Sequence, residues 1–191
     1  MTDVTQDRQG YMWFATNQGL IRHDGYEFTM FSHAPVDSSS LSSDYVESLY
    51  IDGSGTLWVG TYGGGLNRFD AETQTFKSYR RDPNDPYSLS SDSVTVMVED
   101  RDGVLWIGTN WGGLNRFDRE TERFAHYRHD PADPTSLAHD AIRALYVDRP
   151  GTLWVGTRDF TELIEGAVDA EGGLNRFDRA SETFVRYQHD S

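Results

Sequence analysis

Short β-rich runs, each closed by a turn signal, fill the chain from end to end. Residues 44–51, 92–99 and 140–147 are such runs, the second containing SVTVMV, and they end at Asp52, Asp100 and Asp148. A D-x-x-G turn follows each of them (Asp52 to Gly55, Asp100 to Gly103, Asp148 to Gly151), and another joins Asp7 to Gly10. Aspartate first and glycine fourth is the type I turn preference. The next strand reads LWVGT or a near copy of it. A glycine-rich turn leads to a third strand, GLNRFD, and a polar turn (AETQ, RETE, RASE) leads to a fourth of the kind TFKSY. No amphipathic helix of useful length interrupts the series. The pattern predicts an all-β chain of four-stranded antiparallel units.

These units are copies of one another. Trp13, Trp58, Trp106 and Trp154 stand 45, 48 and 48 residues apart, in YMWFAT, TLWVGT, VLWIGT and TLWVGT. Residues 42–89 laid on 90–137 agree at 28 of 48 positions. GGLNRFD recurs at 64–70, 112–118 and 172–178, with the looser QGLIRHD at 18–24. An aromatic pair follows each time: Phe28 and Phe31, Phe76 and Tyr79, Phe124 and Tyr127, Phe184 and Tyr187. The linker DP-x-DP-x-SL occupies 82–89 and 130–137, and is degraded to APVDSSSL at 34–41. Four hairpin-linked strands repeated in this way describe blades of a β-propeller. The blades fall at about 1–33, 42–81, 90–129 and 138–189. Blade four departs from the pattern, with 16 residues between Thr157 and Leu174 where blade three has four between Thr109 and Leu114.

The combination of D-x-x-G-x-LW(V/I)GT, GGLNRFD, an aromatic pair and DP-x-DP-x-SL resembles the two-component regulator propeller repeat over nearly the whole chain. The opening QDRQGYMWFATNQGLIRHDGYEF, with Asp24, Gly25, Tyr26 and Phe28, looks like the first blade of such sensors. The resemblance implies the periplasmic sensor region of a bacterial hybrid histidine kinase or diguanylate cyclase. It also implies more blades than four, and a downstream membrane helix and signalling domains as partners in the same protein. A glycan fragment is the ligand class it suggests, and no catalytic role for this segment. The alternative is a propeller that serves as a scaffold or binds a protein partner. Four blades without closure imply an open partial propeller whose end faces favour self-association.

Charge narrows the partners. Lys plus Arg is 17 and Asp plus Glu is 31, a net −14. That surplus of acid argues against nucleic acid, which calls for clustered cations, and against an anionic membrane surface. There is no cysteine, so disulfides and thiolate metal sites are excluded. The N-terminus carries no signal-peptide pattern and no apolar run is long enough to span a bilayer.

Candidate chemistry is sparse, and neither a cofactor nor a metal is expected. Arg68, Arg116 and Arg176 beside Asp70, Asp118 and Asp178 read as structural links at strand ends, because an active site needs one constellation rather than three equal copies. DRDG at 100–103 lacks the rest of a calcium loop. His126 and His129 have a metal-like spacing, yet their counterparts are Ser78 and Arg81, and a solvated edge is the better reading. The four repeating Trp residues read as core, each ring covering a small residue of a neighbouring strand. The informative positions are those where copies differ within one loop, the turn between the second and third strands. It holds Asn17 and Gln18 in blade one, Tyr62 in blade two, Asn110 and Trp111 in blade three, and Arg158 with the acidic insertion 159–171 in blade four. Trp111 stands where blade two has Gly63, outside any packing pattern. Tyr62, Trp111, Arg158, Asn17 and Asn110 are therefore the expected ligand-binding residues, gathered on one rim of the propeller.

Overall fold

The computed structural model describes residues 1–158 and 172–187. Blade one comprises β1 (Asp3–Gln6), β2 (Met12–Thr16), β3 (Gly19–His23) and β4 (Phe28–Phe31). Blade two comprises β5 (Val46–Ile51), β6 (Leu57–Thr61), β7 (Gly65–Asp70) and β8 (Thr75–Tyr79). Blade three holds β9 (Val94–Glu99), β10 (Leu105–Thr109), β11 (Leu114–Asp118) and β12 (Arg123–Tyr127). Blade four holds β13 (Ile142–Val147), β14 (Leu153–Thr157), β15 (Gly173–Asp178) and β16 (Thr183–Tyr187). Each blade is its own four-stranded sheet, with strands paired in sequence order and antiparallel throughout. The first strands pack on one another, β1 on β5, β5 on β9 and β9 on β13, and so line the axis of the arc.

Three of these strands start two residues later than the β-rich segments, because Asp44, Asp92 and Asp140 tie the linker down instead. Their carboxylates accept the backbone N–H of His33, Arg81 and His129 at 2.6, 2.7 and 2.7 Å. Their carbonyls accept the N–H of Gly19, Gly65 and Gly113. At Gly113 the backbone is left-handed (φ 77°), and a Cβ would stand 2.2 Å from the Tyr127 carbonyl oxygen. No residue but glycine fits there.

The core is three layers, one between each pair of successive blades. Each Trp was expected to cover a small residue of a neighbouring strand; the rings of three of them meet the next blade. The indoles of Trp13, Trp58 and Trp106 pack edge-on to Phe69, Phe117 and Phe177 of the next blade, with ring centroids 5.1, 5.4 and 5.0 Å apart. The glycine two residues on makes room for something else. A Cβ on Gly60 or Gly108 would press on Val94 or Ile142 of the following blade.

A polar scaffold runs through these layers. The aspartate that opens each D-x-x-G turn also holds the Trp six residues later. Trp13, Trp58, Trp106 and Trp154 donate their indole N–H to Asp7, Asp52, Asp100 and Asp148 at 2.7–2.9 Å. Asn67, Asn115 and Asn175 are fully buried. Each accepts a linker N–H (Ser42, Ser90, Ala138) and donates to a carbonyl of its own blade's second strand. The Asn of the repeated phrase is thus what fastens the linker.

The arginine of that phrase links blades rather than strand ends. Arg68 reaches Glu122 of blade three at 3.4 Å, and Arg116 reaches Glu182 of blade four at 2.6 Å. Arg119 and Arg179 reach back the other way, Arg119 to Asp52 of blade two while also pairing with Glu99 of its own blade, and Arg179 to Asp100 and Asp102 of blade three. Asp70 meanwhile closes its own hairpin, accepting the N–H of Glu72 and Thr73.

Asp52 shows what this scaffold is worth. Burial alone would push its carboxyl up, but hydrogen bonds from Ser54, Trp58, Arg119 and the Thr56 backbone hold it at about 2. A depressed carboxyl contributes stability that is complete above its unfolded value and lost as pH falls through the folded one. From 3.8 to about 2 this corresponds to roughly 2 kcal/mol. Acid titration of Asp52→Asn should therefore show less stability than wild type at pH 6, with the gap closing between pH 4 and pH 2. A gap that persisted unchanged at pH 2 would contradict this origin.

Candidate functional site at the variable rim

The turns between the second and third strands do lie on one rim. The backbone N–H groups of Tyr62, Asn110 and Arg158 donate to the carbonyls of Tyr45, Ser93 and Ala141 at 2.9, 2.8 and 3.1 Å. Each acceptor immediately precedes an axial strand, so these three turns stand at equivalent places above β5, β9 and β13. Asn17 is exposed in the corresponding turn of blade one. The insertion 159–171 lies outside the described residues.

Two aromatic pairs mark the rim. The Tyr62 ring is half exposed and stands 5.7 Å from the ring of Tyr45. Trp111 is 52% exposed, and its ring meets His139 edge-on at 5.7 Å. Trp111 also holds φ at 68°, in the left-handed region that blade two fills with Gly63 at 80°. A bulky residue there is strained by of order 1–3 kcal/mol, a cost that concentrates at functional positions. His139 belongs to the linker before β13, so Trp111 partly packs on that linker and still leaves half its surface to solvent.

Below the aromatic pairs, the axial strands present one residue each at a shared position: Glu47 on β5, Thr95 on β9 and Arg143 on β13. Thr95 is occupied, its hydroxyl donating to the carbonyls of Gly108 and Ile142. The guanidinium of Arg143 donates to the Asn110 side-chain oxygen at 3.0 Å. Burial pushes the Glu47 carboxyl up, against the opposing pull of Arg143. The rim thus combines flat rings, a planar cation and a carboxyl that is easier than usual to protonate. Glu47, Arg143, Tyr45 and His139 were not expected from the sequence. The signal was present, since these positions also differ from copy to copy (Tyr45, Ser93 and Ala141; Ser43, Ser91 and His139), but they lie outside the turn that drew attention.

His126 and His129, the pair with metal-like spacing, serve the scaffold. His126 pairs with the Ser88 carbonyl and His129 with that of Leu137, both at 2.7 Å, so each holds a linker. Among the described residues no group of His, Cys, Asp or Glu is arranged to hold a metal ion. A groove of about 550 Å³ lies on the opposite face between blades three and four, along Arg101, Thr152, Arg176 and Arg179. Arg179 is committed there to Asp100 and Asp102 of the preceding blade, and Arg176 repeats Arg68 and Arg116, so the groove is a seam between blades.

Four sheets radiating from an axis and joined by a common linker define a segment of a β-propeller. Within that class, the family model of the two component regulator propeller matches residues 40–63, 88–111 and 136–159. Curated proteins offer no match to the sequence. Among solved structures, the chain is similar to the extracellular domain of a hybrid two component system from B. thetaiotaomicron. Identity is 26% and the TM-score 0.66, over 95% of this chain and 29% of that one. A second such extracellular domain from the same organism gives 21% and 0.76, over 97% and 24%. Virginiamycin B lyase from Staphylococcus aureus gives 14% and 0.61, over 98% and 55%. The latter two show the fold alone. The chain spans about a quarter of the length of the two extracellular domains.

Proposed function

We propose that this chain is part of the sensor region of a bacterial two-component signalling protein, placed outside the cytoplasm in the periplasm, and that its rim binds a small ligand without transforming it. The observation that carries the reading is Trp111, a strained and half-exposed ring at the place where blade two has Gly63. Tyr62, Asn110 and Arg158 occupy the equivalent turns, with Asn17 as a lesser contact. Tyrosine and tryptophan offer apolar faces that tolerate water at one edge. Asn110 and the Arg143 fork suit hydroxyl groups. The overall charge of −14 and the acidic stretch 159–171 favour a neutral guest. A neutral oligosaccharide meets all three conditions. The Arg and Asp of the GLNRFD phrase and the aspartate of the D-x-x-G turn recur symmetrically instead of converging once, which favours binding over catalysis.

Isothermal titration calorimetry with neutral cello-, xylo- and manno-oligosaccharides tests this. One series should bind, and Trp111→Ala should weaken it by about 1–3 kcal/mol, as loss of an anchoring aromatic does. Binding that is indifferent to Trp111→Ala and Tyr62→Ala, or product formation on incubation, would overturn the reading.

A further inference from the structure

The DP-x-DP-x-SL linker folds into the same small cup before blade three and before blade four. Before blade four, Ser136 Oγ donates to the carbonyls of Asp130 and Asp133 at 3.0 and 2.9 Å. Before blade three, Ser88 Oγ donates to the carbonyls of Asp82 and Asp85 at 3.0 and 2.8 Å. Blade four also shows what such a cup accepts. Arg186, on the outer strand β16, lays its guanidinium into the 130–136 cup. Its Nε donates to the Ser136 carbonyl at 2.7 Å. One terminal nitrogen reaches Ser136 Oγ at 2.5 Å, the Asp133 carbonyl at 2.8 Å and the Asp130 carbonyl at 3.4 Å.

In blade three the place of Arg186 is held by His126, each standing opposite the buried asparagine of the third strand, Asn175 or Asn115. The imidazole repeats the first contact, Nε2 to the Ser88 carbonyl at 2.7 Å, and ends there. Among the described residues no side chain repeats the bonds of the second nitrogen. A cavity of about 150 Å³ opens at that point, lined by Asp82, Asp85, Ser88 and His126 among others. It adjoins a groove of about 430 Å³, the two sharing Pro86 and His126. Along this groove the copies differ again. Tyr87 and Arg123 stand where blade four has Thr135 and Thr183. The Tyr87 ring is half exposed, with the Arg123 guanidinium over it at 4.8 Å.

We propose that the 82–88 cup is a binding site for a guanidinium group, presented by an arginine of an extended peptide whose flanking residues lie in the adjoining groove. The cup itself is sized for the side chain that the molecule places in its own second copy. Arg81 and Arg128 share the cavity wall with Asp82 and Asp85, so the formal charges there balance and hydrogen-bond geometry selects the guest. A guanidinium is weakly hydrated and holds its N–H groups in a rigid planar fork, which an ammonium does not. The site shares no residue with the rim, and neither reading depends on the other.

Amide NMR spectra of the chain titrated with acetyl-Gly-Arg-Gly-amide provide the test. Shifts should centre on Asp85, Ser88 and His126. The lysine analogue should bind about tenfold more weakly, the loss of one charge-assisted hydrogen bond. Methylguanidinium should move the same amides with lower affinity, since nothing then fills the groove. His126→Arg gives blade three the blade-four side chain, and should close the cup with the chain's own guanidinium and abolish the shifts. His126→Ser, which installs the residue of blade two, leaves the cup open and should keep them. Shifts that avoid Ser88, equal affinity for the lysine peptide, methylguanidinium binding as tightly as the arginine peptide, or undiminished binding by His126→Arg would each overturn the proposal.

Discussion

Trp106→Ala is expected to lower folding stability by about 3–5 kcal/mol, the range for truncating a large buried aromatic. The ring is 2% exposed, fills the layer between blades three and four against Phe177 and Tyr127, and gives its N–H to Asp100. The substitution opens a cavity and strands an acceptor together. Trp111→Ala should do the opposite, since half of that ring already faces water and its left-handed backbone is strained. Its effect on stability should stay within about 1 kcal/mol, as for surface changes that remove little packing. Urea unfolding of the two variants separates a ring that holds the fold from one displayed by it. If Trp111→Ala unfolds the chain as readily as Trp106→Ala, Trp111 is packing and the rim loses its anchor.

Asp100→Ala should be about as damaging, near 3–5 kcal/mol, because it removes one partner from a buried ion pair and leaves the others unsatisfied. The Asp100 side chain is fully buried and receives the Trp106 indole, the Arg179 guanidinium and the backbone N–H groups of Asp102 and Val104. Asp148→Ala removes the same turn and indole bonds, but no cross-blade arginine reaches Asp148 among the described residues, and it should cost clearly less. A double-mutant cycle of Asp100 with Arg179 should give a coupling above about 1 kcal/mol, as buried networks do. Additive effects would mean that the inter-blade arginine contributes nothing.

The blades were legible because a propeller repeats its whole design. Period, turn chemistry and aromatic pairs pointed to the same four strands in each copy. What escaped was the purpose of individual polar residues. The spacing from Asp52 to Trp58 was visible four times over, yet a type I turn explained the aspartate sufficiently. That its second oxygen serves the indole emerges only when the hairpin is folded. Asn67 and Arg68 are neighbours in sequence but point to opposite faces of β7, one to the linker and the other to the next blade. A reading along the chain therefore joined Arg68 to Asp70 instead of Glu122. The rim was reached from the breaks in the repeat, which is why the turn residues were found. Glu47 and Arg143 were missed because they sit inside regular strands, where substitutions read as ordinary variation.

The central claim is that a repeated scaffold carries an unrepeated binding rim. Amide NMR spectra of the chain during titration with the oligosaccharide series that binds test it most directly. The account predicts shifts concentrated at Tyr45, Tyr62, Trp111, His139 and Arg143, with the D-x-x-G turns on the opposite face unmoved. Shifts centred on Arg101, Thr152, Arg176 and Arg179 would place the ligand in the seam between blades three and four and contradict it.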